Sequence, residues 1–159
     1  MDELLKILGA NALESRENIA RMLNVPCAEV DARIAAYEKQ GVIRGYQAIL
    51  DEDKLDLDTV TAVIEVKVTP QREGGFNTIA ERISKFPEVR SAYLMSGTYD
   101  LLLFVDGKNL RTVAQFVSEK LSPLEGVLST STHFMLKTYK RLGVLMHQES
   151  SDERLSVAP

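Results

Sequence analysis

From Val60 to Val68 every second residue is small and apolar: Val60, Ala62, Ile64, Val66 and Val68. Thr61, Glu65 and Lys67 stand between them. A period of two is that of a strand with one buried and one wet face. The period then changes, because Phe76, Ile79, Ala80 and Ile83 recur at helical spacing. Gly74-Gly75 reads as the loop before that helix. Residues 89–95 and 99–105 follow as two strand patterns around Ser96-Gly97-Thr98, where Gly97 supplies the positive φ of a tight hairpin. Leu110, Val113, Ala114, Val117 and Leu121 mark a second helix. A last strand is predicted over residues 127–139, with Leu128, Thr130, Thr132, Phe134 and Leu136 on one side. The order is β-α-β-β-α-β, a split βαβ arrangement. Both helices then cover one face of an antiparallel sheet. Val63, Leu94 and Leu102 are expected on the other face, which is apolar enough to need cover by another subunit.

The N-terminal third has only the helical period. Leu4, Leu5 and Leu8 form one apolar face. Within residues 15–43, Ile19, Ala20 and Leu23 form a second, and Val30, Ile34 and Tyr37 a third. Asn24 suits the left-handed conformation of a sharp turn, Pro26 suits a first helical turn, and Gly41 closes the following helix. Ala20 is small enough for two helices to cross steeply. This pattern fits a helix-turn-helix, with an ordinary helical hairpin packed in a core as the alternative. Residues 42–50 look extended and are expected to form a small β wing. The predicted fold class is α+β, a winged helix-turn-helix followed by a ferredoxin-like βαββαβ domain. Its expected parts are residues 1–50, an acidic linker at 51–59, the ferredoxin-like domain at 60–140 and a C-terminal tail at 141–159, disordered from 148 onward.

Composition removes several classes of function. Of 159 residues, 45% are hydrophobic and 26% charged, which is enough for real cores. The apolar runs are too short to span a bilayer, and acidic Asp2 and Glu3 after Met1 argue against a signal peptide. Cys27 is the one cysteine, which excludes an intrachain disulfide and suits a reducing cytoplasm. With His133 and His147 as the only histidines, no metal-ligand spacing exists. No P-loop or dinucleotide fingerprint is present either. Neither a metal nor a cofactor is expected.

A winged helix-turn-helix, a link and a βαββαβ module resemble the Lrp/AsnC, or feast/famine, family of transcriptional regulators over residues 2–139. The motifs that carry the resemblance are Gly41-Val42-Ile43-Arg44-Gly45-Tyr46, Ser96-Gly97-Thr98-Tyr99-Asp100 and Leu124-Glu125-Gly126-Val127. The resemblance implies a cytoplasmic regulator that binds double-stranded DNA with its first module. The second module would build a homodimer, and from it a tetramer or octamer, and would take an amino acid or related small molecule.

On that resemblance, residues 26–39 form the recognition helix. Its exposed N-terminal side chains Cys27, Ala28, Glu29, Asp31, Ala32 and Arg33 would face base edges, and Arg16, Arg21, Arg33 and Arg44 could cluster on one face for DNA binding. Lys39 could join them. This is an acidic set for the task, since residues 1–50 carry six basic and seven acidic side chains. Glutamate can nonetheless accept from a cytosine amino group. The effector site implied by the resemblance lies at Met95, Gly97, Thr98, Tyr99 and Asp100, where turn N–H groups would hold a carboxylate and Asp100 the ammonium. Ser131, Thr132 and His133 would join from a neighbouring subunit. Two other readings fit the same architecture. One is a ligand-sensing co-regulator that does not bind DNA. The other is an enzyme like the sirohaem decarboxylases, which needs cationic side chains near the turn, where only Arg90 stands.

Overall fold

Three helices open the chain, and each boundary has a local cause. In this computed structural model, which describes residues 1–55, 57–70 and 75–146, α1 is Glu3–Ala10, α2 is Arg16–Leu23 and α3 is Cys27–Lys39. Asp2 Oδ1 accepts the Leu4 N–H at 3.3 Å, and Ser15 Oγ accepts the Asn18 N–H at 3.1 Å, so two of the helices start on side-chain caps. Asn24 adopts φ 53° and ends α2, as its residue type predicts, and lets the Val25 N–H return to the Ala20 carbonyl at 3.0 Å. Gly41, at φ 70°, ends α3 in a Schellman turn. Its N–H donates to the Glu38 carbonyl at 3.0 Å, and the Val42 N–H to that of Tyr37 at 2.9 Å. The helices meet on Leu4, Leu8, Ile19, Ala20, Val30 and Ile34, the core of a unit that runs Met1–Ile49.

No wing strand forms. Residues 43–50 carry no strand pairing. An extended segment becomes a strand only against a hydrogen-bonded neighbour, and this unit has no second extended segment to supply one.

The second unit begins at Leu50. Its strands are β1 (Val60–Val68), β2 (Val89–Leu94), β3 (Leu101–Gly107) and β4 (Val127–Phe134), in the spatial order β2-β3-β1-β4 and all antiparallel to their neighbours. Helices α4 (Asn77–Ser84) and α5 (Leu110–Phe116) close the β-α-β-β-α-β order, and a π-helical turn, Val117–Leu121, extends α5. Ala62, Ile64, Val66 and Val68 of β1 are buried with Leu101, Leu103 and Val105 of β3. Ile79, Ile83, Val113, Phe116 and Leu121 cover them.

The register corrects three expectations. Leu94 pairs with Leu101, so it belongs to the helix-covered side rather than the open face, which instead carries Tyr93, Leu102, Phe104 and Val63. β4 stops at Phe134, because β1 begins at Val60 and the last bond available to the edge is the Met135 N–H to the Thr61 carbonyl at 2.9 Å. The residues expected to begin a tail instead continue the fold. β5 (Lys140–Arg141) and β6 (Val144–Leu145) form a hairpin around Leu142 and Gly143, both at positive φ, and Met146 after it is buried. The remaining tail, His147, Gly74 and Asp56 of the linker lie outside the described residues.

Gly107 sits where α5 presses on β3. A Cβ there would lie 2.7 Å from Val113 Cγ2 and 2.8 Å from Thr112 Oγ1, whereas one on Gly9 of α1 meets nothing within 4 Å. The two glycines should therefore respond with opposite signs. Gly107→Ala is expected to destabilise by about 1–3 kcal/mol through overpacking. Gly9→Ala should stabilise by roughly 0.5–1 kcal/mol through helix propensity. Urea midpoints of the two variants check both signs.

Candidate nucleic-acid and effector sites

The outer side of α3 presents Cys27, Ala28, Glu29, Asp31 and Ala32, all exposed, as the amphipathic spacing of Val30 and Ile34 requires. The arginines expected beside them have different surroundings. Arg33 is turned to the N-terminus of α1, where its Nη2 donates to both oxygens of Asp2 at 2.7 Å. The Tyr37 hydroxyl donates to the same carboxylate, and Glu29 stands 3.9 Å from the other guanidinium nitrogen. Arg16 Nε pairs with Asp31 at 3.2 Å and ties the start of α2 to α3. Arg21 is exposed and donates to Asn18 of its own helix. Among the described residues Lys39 and Arg44 carry no ion pair, and both are exposed. So Arg21, Lys39 and Arg44 are the cations of this unit left to meet an anion, and Arg16 and Arg33 are held by carboxylates.

Sequence reasoning missed the clasp of Asp2, Arg33 and Tyr37. Asp2 is a helix cap that also serves two side chains more than thirty positions away. No local pattern announces such a partner. The Tyr37 hydroxyl, and after it Arg33, hold the Asp2 carboxyl well below the ordinary carboxylate range, at about 2. The same contact raises the Tyr37 hydroxyl and the Arg33 guanidinium.

In the second unit the turn between β2 and β3 carries Met95, Gly97, Thr98, Tyr99 and Asp100. Gly97 lies at φ 148°, as the hairpin requires, and a Cβ there would meet nothing within 4 Å. Ser96, Gly97 and Thr98 are exposed, and among the described residues their N–H groups donate to no protein acceptor. The Asp100 carboxylate is occupied within the fold, since its Oδ2 accepts the Val68 N–H at 2.8 Å.

Ser131 and His133 do not meet that turn within one chain, because β1 lies between β3 and β4. They occupy the open face, where Ser131 Oγ is 3.2 Å from His133 Nε2 and Glu65 is 3.8 Å from the same nitrogen. Thr132 pairs with Ile64 and faces the helices, so the pleat separates it from its two neighbours. A cavity of about 290 Å³ beside Met135, Arg141 and Met146 and another of about 640 Å³ over Val105, Val113 and Phe116 are lined by none of the expected effector residues. Arg90 lies 3.8 Å from Glu52 and 3.5 Å from Asp106, so the cation that a tetrapyrrole-binding enzyme would use is already shared between two carboxylates.

The chain has clear relatives. A family model described as the Lrp/AsnC ligand binding domain matches residues 61–145. Over 158 residues the chain is 48% identical to the uncharacterized HTH-type transcriptional regulator YugG of Bacillus subtilis strain 168, covering 99% of this chain and 95% of that protein. Its fold is similar to the crystal structure of MtbAldR, with a TM-score of 0.74 at 21% identity over 89% of this chain and 97% of that one. It is also similar to transcriptional regulator NMB0573 of Neisseria meningitidis, solved as an L-Met complex. There the TM-score is 0.68 at 23% identity, over 89% of this chain and 93% of that one.

The clasp on Asp2 makes a prediction about pH. A carboxyl whose folded pKa is depressed contributes its full stability above its unfolded value, 3.8, and loses it as pH falls through about 2. Asp2→Asn should lower the melting temperature at neutral pH, and that deficit should shrink between pH 4 and pH 2. A deficit that is the same at all pH values would show that the charge on Asp2 contributes nothing.

Proposed function

The chain belongs to the Lrp/AsnC family of transcriptional regulators, and from that membership we propose that its first unit binds double-stranded DNA and its second assembles chains and senses an amino acid or a related small molecule. The observation that carries the reading is α2, the left-handed turn at Asn24, and α3 with its outer side bare of packing. This is the geometry in which a second helix enters a major groove. Cys27, Ala28, Glu29, Asp31 and Ala32 would face base edges, and Arg21, Lys39 and Arg44 would meet phosphates. Arg16 and Arg33 would act through Asp31 and Asp2, by holding α2 and α1 against α3. With few free cations, affinity per unit is modest, and paired recognition helices in a dimer would raise it through effective concentration.

For the effector, the unpaired N–H groups of Ser96, Gly97 and Thr98 suit a carboxylate. Met95 and Tyr99 would flank the side chain of the ligand. The turn is exposed, so a second copy of the chain would complete the site, with Ser131 and His133 contributed from the open face of a neighbour. The similar N. meningitidis regulator, solved with L-Met, supports this choice of ligand class. A ligand at such a junction acts only by favouring one assembly over another, so its signature is a change in oligomer size. The protein would work in the cytoplasm, as a regulator rather than an enzyme. Among the described residues no helix is long and apolar enough to cross a membrane.

The test is binding of the full chain to its own upstream DNA over a salt series, with and without pooled amino acids. Binding should weaken steeply with salt and shift with the effector. Arg44→Ala and Arg21→Ala should each flatten the slope of log K against log salt by about 0.9, the value of one phosphate contact. Arg33→Ala should instead lower the melting temperature. Absence of binding at the lowest salt would favour the co-regulator reading, to which the neutralised Arg16 and Arg33 already lean.

A further inference from the structure

The acid next to the effector turn has a different task from the one its charge suggests. We propose that Asp100 is a positioning residue, whose carboxylate fixes the turn to β1 as a hydrogen-bond acceptor and not as the counter-ion of a ligand ammonium. This rests on the effector reading above, although its structural half can be tested without any ligand.

Pairing between β1 and β3 ends at Val66 opposite Leu101. Val68 lies beyond that end, is 3% exposed, and has no β3 residue opposite its N–H. A buried N–H without an acceptor is costly, so something must replace the missing strand residue. Asp100 Oδ2 does so at 2.8 Å. The same residue donates its own N–H to the Val66 carbonyl at 3.0 Å and accepts the Met95 N–H on its carbonyl at 2.8 Å. Three hydrogen bonds from one residue thus join β2, β1 and the start of β3, and Ser96, Gly97 and Thr98 hang from that junction. On the other side of β1 the Thr69 N–H reaches the Gly126 carbonyl at 2.8 Å, so the strand end is held from both sides. Hydrogen-bond acceptance is what this role needs, and the asparagine amide oxygen keeps that acceptor without the charge, in a weaker but geometrically equivalent bond. Pairing with an ammonium needs the negative charge. Asp100→Asn therefore separates the two roles.

The experiment uses the full chain and three proteins: wild type, Asp100→Asn and Asp100→Ala. Amide exchange at Val68 is followed by NMR, and oligomer size by sedimentation velocity with and without L-methionine and then a pool of the common amino acids. Exchange at Val68 should stay close to wild type in Asp100→Asn and accelerate at least roughly tenfold in Asp100→Ala. The amino-acid response should survive in Asp100→Asn and be lost in Asp100→Ala. If Asp100→Ala does not fold, Asp100→Asn still decides, since only the positioning role predicts a protected Val68 and an intact response in that variant. Loss of the response in Asp100→Asn with Val68 still protected would overturn the proposal and make the charge a ligand contact. Unchanged Val68 exchange in Asp100→Ala would overturn it as well. A wild type whose assembly ignores every amino acid would remove the effector reading, while the exchange data would still rule on Asp100.

Discussion

β1 is the strand on which the second unit depends, because its pairing along both edges joins β4 to the β2-β3 hairpin. Its register against β3 runs from Val60–Gly107 to Val66–Leu101, and against β4 from Ala62–Phe134 to Lys67–Ser129 before a bulge. Ala62, Ile64 and Val66 are fully buried as a result. A slip of one residue on either side would put Thr61, Val63, Glu65 and Lys67 into the core and those three into solvent. The register is therefore held by side-chain burial, and the ends of the neighbouring strands follow from it. β4 stops because β1 has begun, and β3 starts where the side chain of Asp100 has taken over the last ladder bond.

What could be read in the sequence was what a few adjacent residues decide. The left-handed Asn24, the Schellman turn at Gly41, the alternation of Val60–Val68 and the positive φ of Gly97 each depend on a conformational preference or a period within one element. What escaped depends on a partner elsewhere in the chain. Extension of residues 42–50 was legible, but a strand also needs a neighbour. The hairpin of Lys140–Leu145 turns through Leu142 at φ 46°, a conformation that a leucine side chain does not advertise. The strand pattern of residues 89–95 has no clean period, so only the pairing of Leu94 with Leu101 fixes the side of the sheet it takes.

The same distinction governs the sites. Residue type alone makes every arginine of the first unit a candidate for phosphate. The structure adds the partners: Arg33 is separated by 31 positions from the Asp2 that holds it, and Arg16 by 15 from Asp31. Neither separation leaves a trace in the local sequence. The near balance of charge in residues 1–50 was legible, and it already implied that acids would claim some of those bases. Structure adds which ones are claimed, and leaves Arg21, Lys39 and Arg44 to carry the electrostatic burden of the proposed DNA binding.

The two acids that interrupt the expected sites, Asp2 and Asp100, do comparable work. Each accepts a backbone N–H at an end of regular structure, Leu4 at the start of α1 and Val68 at the end of β1. At such ends the backbone runs out of its own acceptors, and a short carboxylate side chain is a nearby replacement. An acid beside a binding surface need not be there for the ligand. At Asp100 the consequence is a division of labour within five residues. The carboxylate secures the strand end, Gly97 supplies the bend, and the N–H groups of the turn remain open toward solvent. A turn held in this way would lose little conformational freedom on closing over the proposed carboxylate ligand, and that favours recognition by backbone over recognition by an opposing charge.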